Sequence, residues 1–176
     1  IGDFGVLIAG TEPITAKVMA RATHLRLIAR VGIGLDNVDF QAARERGITV
    51  AYTPDAPAPA VSDLTIGLMI NLLRYIPRAD RNLRNGVWQR FQGRRLAEQT
   101  VGIIGVGRVG HRVIRHLSGF SPRILANDLA PDIDFGNEFG VRWVDKETIY
   151  RRSDVISLHV PLTSLTRRLI ARKEID

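Results

Sequence analysis

Apolar and polar positions alternate along the first third of the chain with the rhythm of short strands and short helices. Gly5 to Ala9 reads as a buried strand, and Ile14 to Ala22 as a helix with Val18 and Met19 turned inward. Leu25 to Arg30 is a second strand, followed by a glycine-bearing loop, VGIGLDNVD. Phe40 to Arg46 reads as a helix closed by Gly47, and Thr49 to Tyr52 as a third strand. Short helices between strands return the chain to the same sheet edge, so the pattern predicts a parallel sheet. Thr53 to Pro59 (TPDAPAP) holds three prolines in seven residues and reads as a stiff linker. A domain boundary is placed there, giving residues 1–56 and 57–176. Ala60 to Ile76 then reads as a long helix, apolar nearly all round and so buried on several sides at a junction or subunit interface. Pro77 ends or kinks it, and an amphipathic helix runs to Asn85-Gly86.

The second half repeats the rhythm around a glycine turn. Val101 to Ile104 is a short apolar strand leading into Gly105-x-Gly107-x-x-Gly110, and Val113, Ile114 and Leu117 follow at helical spacing. A strand, a glycine turn and a helix start present bare backbone N–H groups to a diphosphate. A second strand, Arg123 to Asn127, ends in Asp128, at the offset where an acidic residue receives the adenosine ribose hydroxyls. A carboxylate there accepts both hydroxyls and repels the extra phosphate of NADP, so the pattern predicts an NAD site. Val141 to Val144 reads as a strand, Lys146 to Arg151 as a helix capped by Asp145, and Asp154 to His159 as a buried strand. Val160-Pro161-Leu162-Thr163 leaves the carboxyl end of that strand, on the side where doubly wound sheets hold ligands.

Composition narrows the classes. With 45% hydrophobic and 24% charged residues the chain reads as globular, and without cysteine it has no disulfide, thiolate or cysteine-metal chemistry. The spacing of residues points to no metal site. No apolar run reaches membrane-spanning length and no signal peptide opens the chain, from which a cytoplasmic protein without membrane contact is expected. The net charge of +7 comes mostly from arginines, concentrated between Arg74 and Arg95. Without interleaved aromatic residues or a recognition helix, that cluster reads as a solvated helix face rather than a nucleic-acid surface. The chain begins with Ile1 and stops at Asp176 inside a stretch, ARKEID, that reads as helix; both ends read as cut.

RVGIGLDNVD (Arg30 to Asp39), DLTIGLMINLLRYIP (Asp63 to Pro77) with VGIIGVGRVG behind it, and DVISLHVPLT (Asp154 to Thr163) occur in that order. Together they give a chain that resembles the D-isomer-specific 2-hydroxyacid dehydrogenases, in the phosphoglycerate-dehydrogenase-like branch, over essentially its whole length. The resemblance implies an α/β protein: a Rossmann-like, doubly wound NAD-binding domain and part of a flavodoxin-like substrate domain. It implies that Gly105, Gly107, Arg108, Val109 and Gly110 hold the pyrophosphate and Asp128 the ribose, with Val160 and Pro161 lining the adenine side. It also implies that Val31, Gly32, Ile33 and Gly34 present amides to a small 2-hydroxy or 2-keto acid, and that the protein is a homodimer through the 60–76 helix. The family's catalytic arginine, glutamate and histidine match no residue up to Asp176. A chain confined to these residues is therefore expected to keep part of the NAD site and to lack catalysis. His24 reads as a boundary residue, His111 and His116 as helix-face residues, and His159 as a neighbour of the cofactor crevice.

Several positions depart from the family. Phosphoglycerate dehydrogenases place an arginine and a serine after the first strand, where Ala9-Gly10-Thr11 stands, so 3-phosphoglycerate is doubtful as substrate. Pro57 replaces a usual asparagine, and Asp63 stands where glutamate is common. The leading reading is an NAD-dependent 2-hydroxyacid dehydrogenase; the alternative is a non-catalytic NAD(H)-sensing, corepressor-like protein on the same fold.

Overall fold

A computed structural model describes residues 2–175, in two compact α/β units. One unit runs to Pro57 and takes in Pro161–Arg167; the other holds Ala58–Val160 and the segment from Arg168 onward.

The first unit is built on three parallel strands, β1 (Val6–Ala9), β2 (Leu27–Arg30) and β3 (Thr49–Tyr52), in that order. Ala9 lies opposite Arg30, and Arg30 opposite Tyr52, so all three strands end level at their carboxyl ends. Helices α1 (Ala16–Ala20) and α2 (Phe40–Glu45) cover one face. Thr15 and Asp39 start them by accepting the amides of Val18 and Ala42, which satisfies otherwise orphaned donors. α1 is shorter than its apolar pattern predicted, because Ile14 is drawn into a parallel bridge with Val38. Met19 and Ile28 are fully buried, with Ile14 beside them. β1 is not the buried strand its run of apolar residues predicted. Leu7 and Ala9 face the core while Val6 and Ile8 lie exposed, since the helices cover only one face of the sheet.

The second unit opens with α3 (Ala58–Arg74) and α4 (Ile76–Arg84). α3 starts before Ala60 because Pro59 fits a first turn, whose N–H has no intrahelical partner anyway. The break between the helices falls at Tyr75, whose left-handed backbone (φ 55°) redirects the chain just ahead of Pro77. Within the single chain α3 buries one face, through Ala58, Ser62, Met69 and Leu73, and leaves Val61, Leu64, Leu68 and Leu72 exposed.

The sheet of this unit holds β4 (Thr100–Ile104), β5 (Arg123–Asn127), β6 (Val141–Trp143) and β7 (Val155–Leu158), all parallel, in the order β6-β5-β4-β7. β4 is buried throughout, as a central strand covered on both faces must be. On one face α5 (Arg108–Ser118) seats Val113, Ile114 and Leu117 against Val101 and Ile103, with Met69 and Leu73 of α3 behind. On the other, α7 (Lys146–Arg152) sets Ile149 against Ile104 and Leu125. Asp145 caps α7, as its position predicted, by accepting the Thr148 amide at 2.7 Å. β7 is an edge strand and only half-buried, not the buried strand its apolar run predicted. α6 (Ile133–Phe139) was not anticipated from the sequence. Gly136 interrupts its apolar pattern because Trp143 packs there, where a Cβ would strike the indole nitrogen. The ARKEID stretch forms only a short 3-10 turn, Arg172–Glu174.

Strand order reverses between β4 and β7. The chain leaves β4 toward α5 and β5 on one side, and β7 returns to the other. Open parallel sheets hold ligands in the crevice outside their carboxyl ends at this switch point. The glycine turn and the Leu158–Val160 segment both emerge there.

Candidate functional site

The turn between β4 and α5 is built from backbone. Gly105 has φ +92°, a conformation that a side chain strains, and its amide donates to the Asn127 carbonyl at 2.9 Å. It also lies against the end of β7: a Cβ there would sit 2.6 Å from the His159 carbonyl oxygen and 2.8 Å from Val160 Cγ1. Gly110 lets the helix close on the turn, for a Cβ at 110 would overlap the Gly105 carbonyl. Gly107 differs. It is the N-cap of α5 without a side-chain cap bond, and a Cβ on it would meet nothing within 4 Å.

Arg108 and Val109 form the first turn of an 11-residue helix, with Arg108 exposed and Val109 packed partly on the core. The first amides of a helix have no intrahelical acceptor, and the helix dipole favours an anion at that end. The turn therefore combines open space beside Gly107 with donors that converge on it, which fits the diphosphate of a dinucleotide.

Asp128 follows β5 directly and is half-buried. Its Oδ2 accepts the Val106 amide at 2.6 Å and its Oδ1 accepts the Ala130 amide at 2.9 Å. The carboxylate therefore braces the glycine turn directly, a role not read from the sequence. Each oxygen keeps a further lone pair for a hydroxyl donor.

The histidines do more than occupy helix faces. His111 Nδ1 lies 3.0 Å from the Gly107 carbonyl, its Nε2 lies 3.5 Å from Asp132, and its ring packs against Phe135 in a tilted arrangement. Asp132 caps α6 through the Phe135 amide, and this bond holds its carboxyl below the usual range, with His111 adding to the effect. His116 Nε2 meets buried Ser62 at 3.2 Å and Asp63 at 3.1 Å, tying α5 to α3. His159 pairs with Ser157 at 2.9 Å, and burial pushes its pKa down, so the ring is neutral at neutral pH.

Val160 packs with Ile104 and Leu125, beside Gly105. Pro161 belongs with the first unit, where its carbonyl accepts Thr166 Oγ1 at 2.6 Å.

In the first unit the loop after β2 is tighter than its glycines implied. The Val31 amide donates to Ala9 and the Gly32 amide to Thr53 Oγ1 at 2.8 Å, so neither points to a ligand. Gly32 has φ +136°, and a Cβ there would collide with the Arg30 guanidinium, which itself donates to the Val31 carbonyl. Ile33 and Gly34 donate no hydrogen bond within this loop, and Ile33 is exposed. Thr53 carries no sequence signal for this task. Among the described residues no cluster of histidine and acidic side chains could hold a metal ion, and no helix is long and apolar enough to cross a membrane.

Comparison with known proteins bears on both units. Residues 66–176 match the family model described as the D-isomer specific 2-hydroxyacid dehydrogenase NAD binding domain. Over 173 residues the chain is 41% identical to a hydroxypyruvate reductase of Thermotoga maritima, covering 97% of this chain and 55% of that protein. It is 40% identical to a D-3-phosphoglycerate dehydrogenase of Methanocaldococcus jannaschii, covering 99% of this chain and 34% of that protein. Among solved structures, the D-lactate dehydrogenase of Aquifex aeolicus complexed with NAD and lactic acid superposes with a TM-score of 0.87 at 26% identity. That match covers 97% of this chain and 52% of the other. The chain thus spans about half, or less, of the length of the relatives it matches. These relatives give no support to a regulatory, corepressor-like reading. The glycine turn fits NAD, the cofactor of the matched domain, and the chain belongs to the D-isomer-specific 2-hydroxyacid dehydrogenase family.

Proposed function

We propose that the protein is an NAD-dependent dehydrogenase of D-2-hydroxy acids, working between a small 2-hydroxy acid and its 2-keto acid. The observation that carries this reading is the turn at Gly105–Gly110: an open helix start beside Gly107, braced by the Asp128 carboxylate. Bound NAD would supply hydride acceptance at its nicotinamide ring. Gly105, Gly107, Arg108, Val109 and Gly110 would hold its diphosphate, and Asp128 would accept both adenosine ribose hydroxyls while repelling the 2′-phosphate of NADP. Val160 and Pro161 are proposed for the adenine side. Of the proposed substrate loop, Ile33 and Gly34 would donate to the substrate carboxylate, with Val31 and Gly32 shaping the loop from within. No side chain among these residues is assigned the proton transfer; His159, paired with Ser157, is proposed only as a neighbour of the crevice.

Relatives named hydroxypyruvate reductase and glyoxylate reductase support a short, unphosphorylated substrate, while others are named D-3-phosphoglycerate dehydrogenase; Ala9-Gly10-Thr11, without an arginine after β1, favours the former. The exposed stripe Val61, Leu64, Leu68 and Leu72 on α3 supports assembly as a homodimer. The cytoplasm is the proposed compartment, in keeping with a cysteine-free chain.

The test is steady-state turnover of NADH by the full-length protein with glyoxylate, pyruvate and hydroxypyruvate. Reduction of at least one, with much weaker use of NADPH, is the expected result. Failure on every short 2-keto acid would remove the proposal.

A further inference from the structure

We infer that Glu12 is a charge filter: its carboxylate fills the anion position at the carboxyl end of β1 and turns away substrates that carry a second anionic group. This rests on the reading of Ile33 and Gly34 as donors to the substrate carboxylate. β1 and β2 are parallel neighbours, and the Val31 amide donates to the Ala9 carbonyl at 2.8 Å. The segment after Ala9 and the loop after Arg30 therefore leave the sheet side by side, at the end where parallel sheets receive ligands.

The first free amide beyond β1 is that of Gly10, and the chain occupies it with its own anion. Glu12 folds back so that both carboxylate oxygens lie 3.1 Å from Gly10 N. Asn37 clamps this turn, its Nδ2 donating to the Gly10 carbonyl at 3.2 Å and to the Glu12 carbonyl at 2.8 Å. Gly10 provides the room, since a Cβ there would sit 3.0 Å from Glu12 Oε2. The amides of Glu12 itself and of Gly10 hold the carboxyl below its usual range, and the Arg30 guanidinium acts in the same direction. Glu12 is thus ionised at neutral pH.

A ligand phosphate at this position would have to displace a tethered carboxylate and then sit beside its charge. For a dianion about 6 Å from one negative charge in a water-like medium, the repulsion amounts to a loss of up to roughly tenfold, reduced by the Arg30 guanidinium that acts on the same carboxylate. A substrate with one carboxylate and an uncharged group at C3 meets no such barrier. The filter therefore selects hydrogen, methyl or hydroxymethyl at C3 over phosphomethyl.

The experiment compares kcat/KM of the full-length protein with NAD for D-glycerate and for 3-phospho-D-glycerate, in wild type, Glu12→Gln and Glu12→Ala. The wild type is expected to favour D-glycerate, and both variants to lower that ratio severalfold, by up to about tenfold. In the wild type, raising salt from about 0.02 to about 0.2 M should narrow the ratio, because screening shortens the reach of the charge. That measurement stands even if neither variant folds. Activity on D-glycerate with a ratio that neither substitution nor salt moves overturns the filter alone, and a wild-type preference for the phosphorylated acid does the same. No activity on either acid, or on any short 2-hydroxy acid, removes the reading of the site and the filter with it.

Discussion

Gly107 and Gly110 lie three residues apart in one turn, yet the geometry assigns them opposite sensitivities. At Gly110 an added methyl overlaps the Gly105 carbonyl oxygen, and its distance to the carbonyl carbon would be 3.1 Å. That neighbour is backbone, held by the Gly105 amide bond to Asn127, so it cannot swing aside. Overpacking of this kind costs about 1–3 kcal/mol, which for a chain of this size lowers Tm by roughly 3–10 °C. At Gly107 the same methyl meets nothing within 4 Å. Gly107→Ala should therefore leave Tm within about 2 °C of wild type, because surface changes of this kind fall inside about 0.5 kcal/mol. Its penalty should appear on binding. A methyl at the helix start holds the diphosphate off the donors of the first turn. Losing the equivalent of two charge-assisted hydrogen bonds, about 3 kcal/mol together, weakens NAD on the order of a hundredfold. The assay is a thermal melt followed by circular dichroism, paired with calorimetric titration of NAD into the same preparations. Gly107→Ala with wild-type affinity, or with a loss of Tm equal to that of Gly110→Ala, would refute the division of labour.

Asp128→Ala removes the acceptor for the Val106 and Ala130 amides as well as for the ribose. It should weaken NAD by about tenfold or more and shrink the preference over NADP; an unchanged NAD-to-NADP ratio in titration would show that Asp128 does not read the ribose. Asp145→Ala tests a cap. The Thr148 amide depresses the carboxyl of Asp145 in the fold, so its stabilisation is present above the ordinary carboxylate range and fades as pH falls through the depressed value. The variant should melt below wild type at pH 7, and the gap should shrink as pH falls below the ordinary carboxylate range; a gap that stays constant in acid would contradict this. Leu117→Ala empties a fully buried site beneath β4 and should cost about 2–5 kcal/mol in denaturant unfolding. A cost below about 1 kcal/mol would mean that the helix does not pack as described.

The glycine turn was readable because its requirements are backbone requirements, and glycine spacing records them directly. Strand ends were readable for a similar reason: β3 and β5 begin and end where their apolar runs do. Burial was less legible. Among the described residues Val6 and Ile8, which look like core residues in the sequence, lie exposed on the face of the sheet that α1 and α2 leave free. α6 carries a weak sequence signal because Gly136 makes room for Trp143 on the following strand, a packing demand that overrides local helix preference. The side-chain clamps on the two loops of the first unit, Thr53 on Gly32 and Asn37 on Gly10, join residues 21 and 27 positions apart and have no sequence signature.

The most direct test of the account is calorimetric titration of the full-length wild-type protein with NAD and, separately, with NADP. Saturable binding of NAD with at least about tenfold weaker NADP is the predicted result. Binding of neither coenzyme, or equal binding of both, would contradict the assignment of the helix start and Asp128.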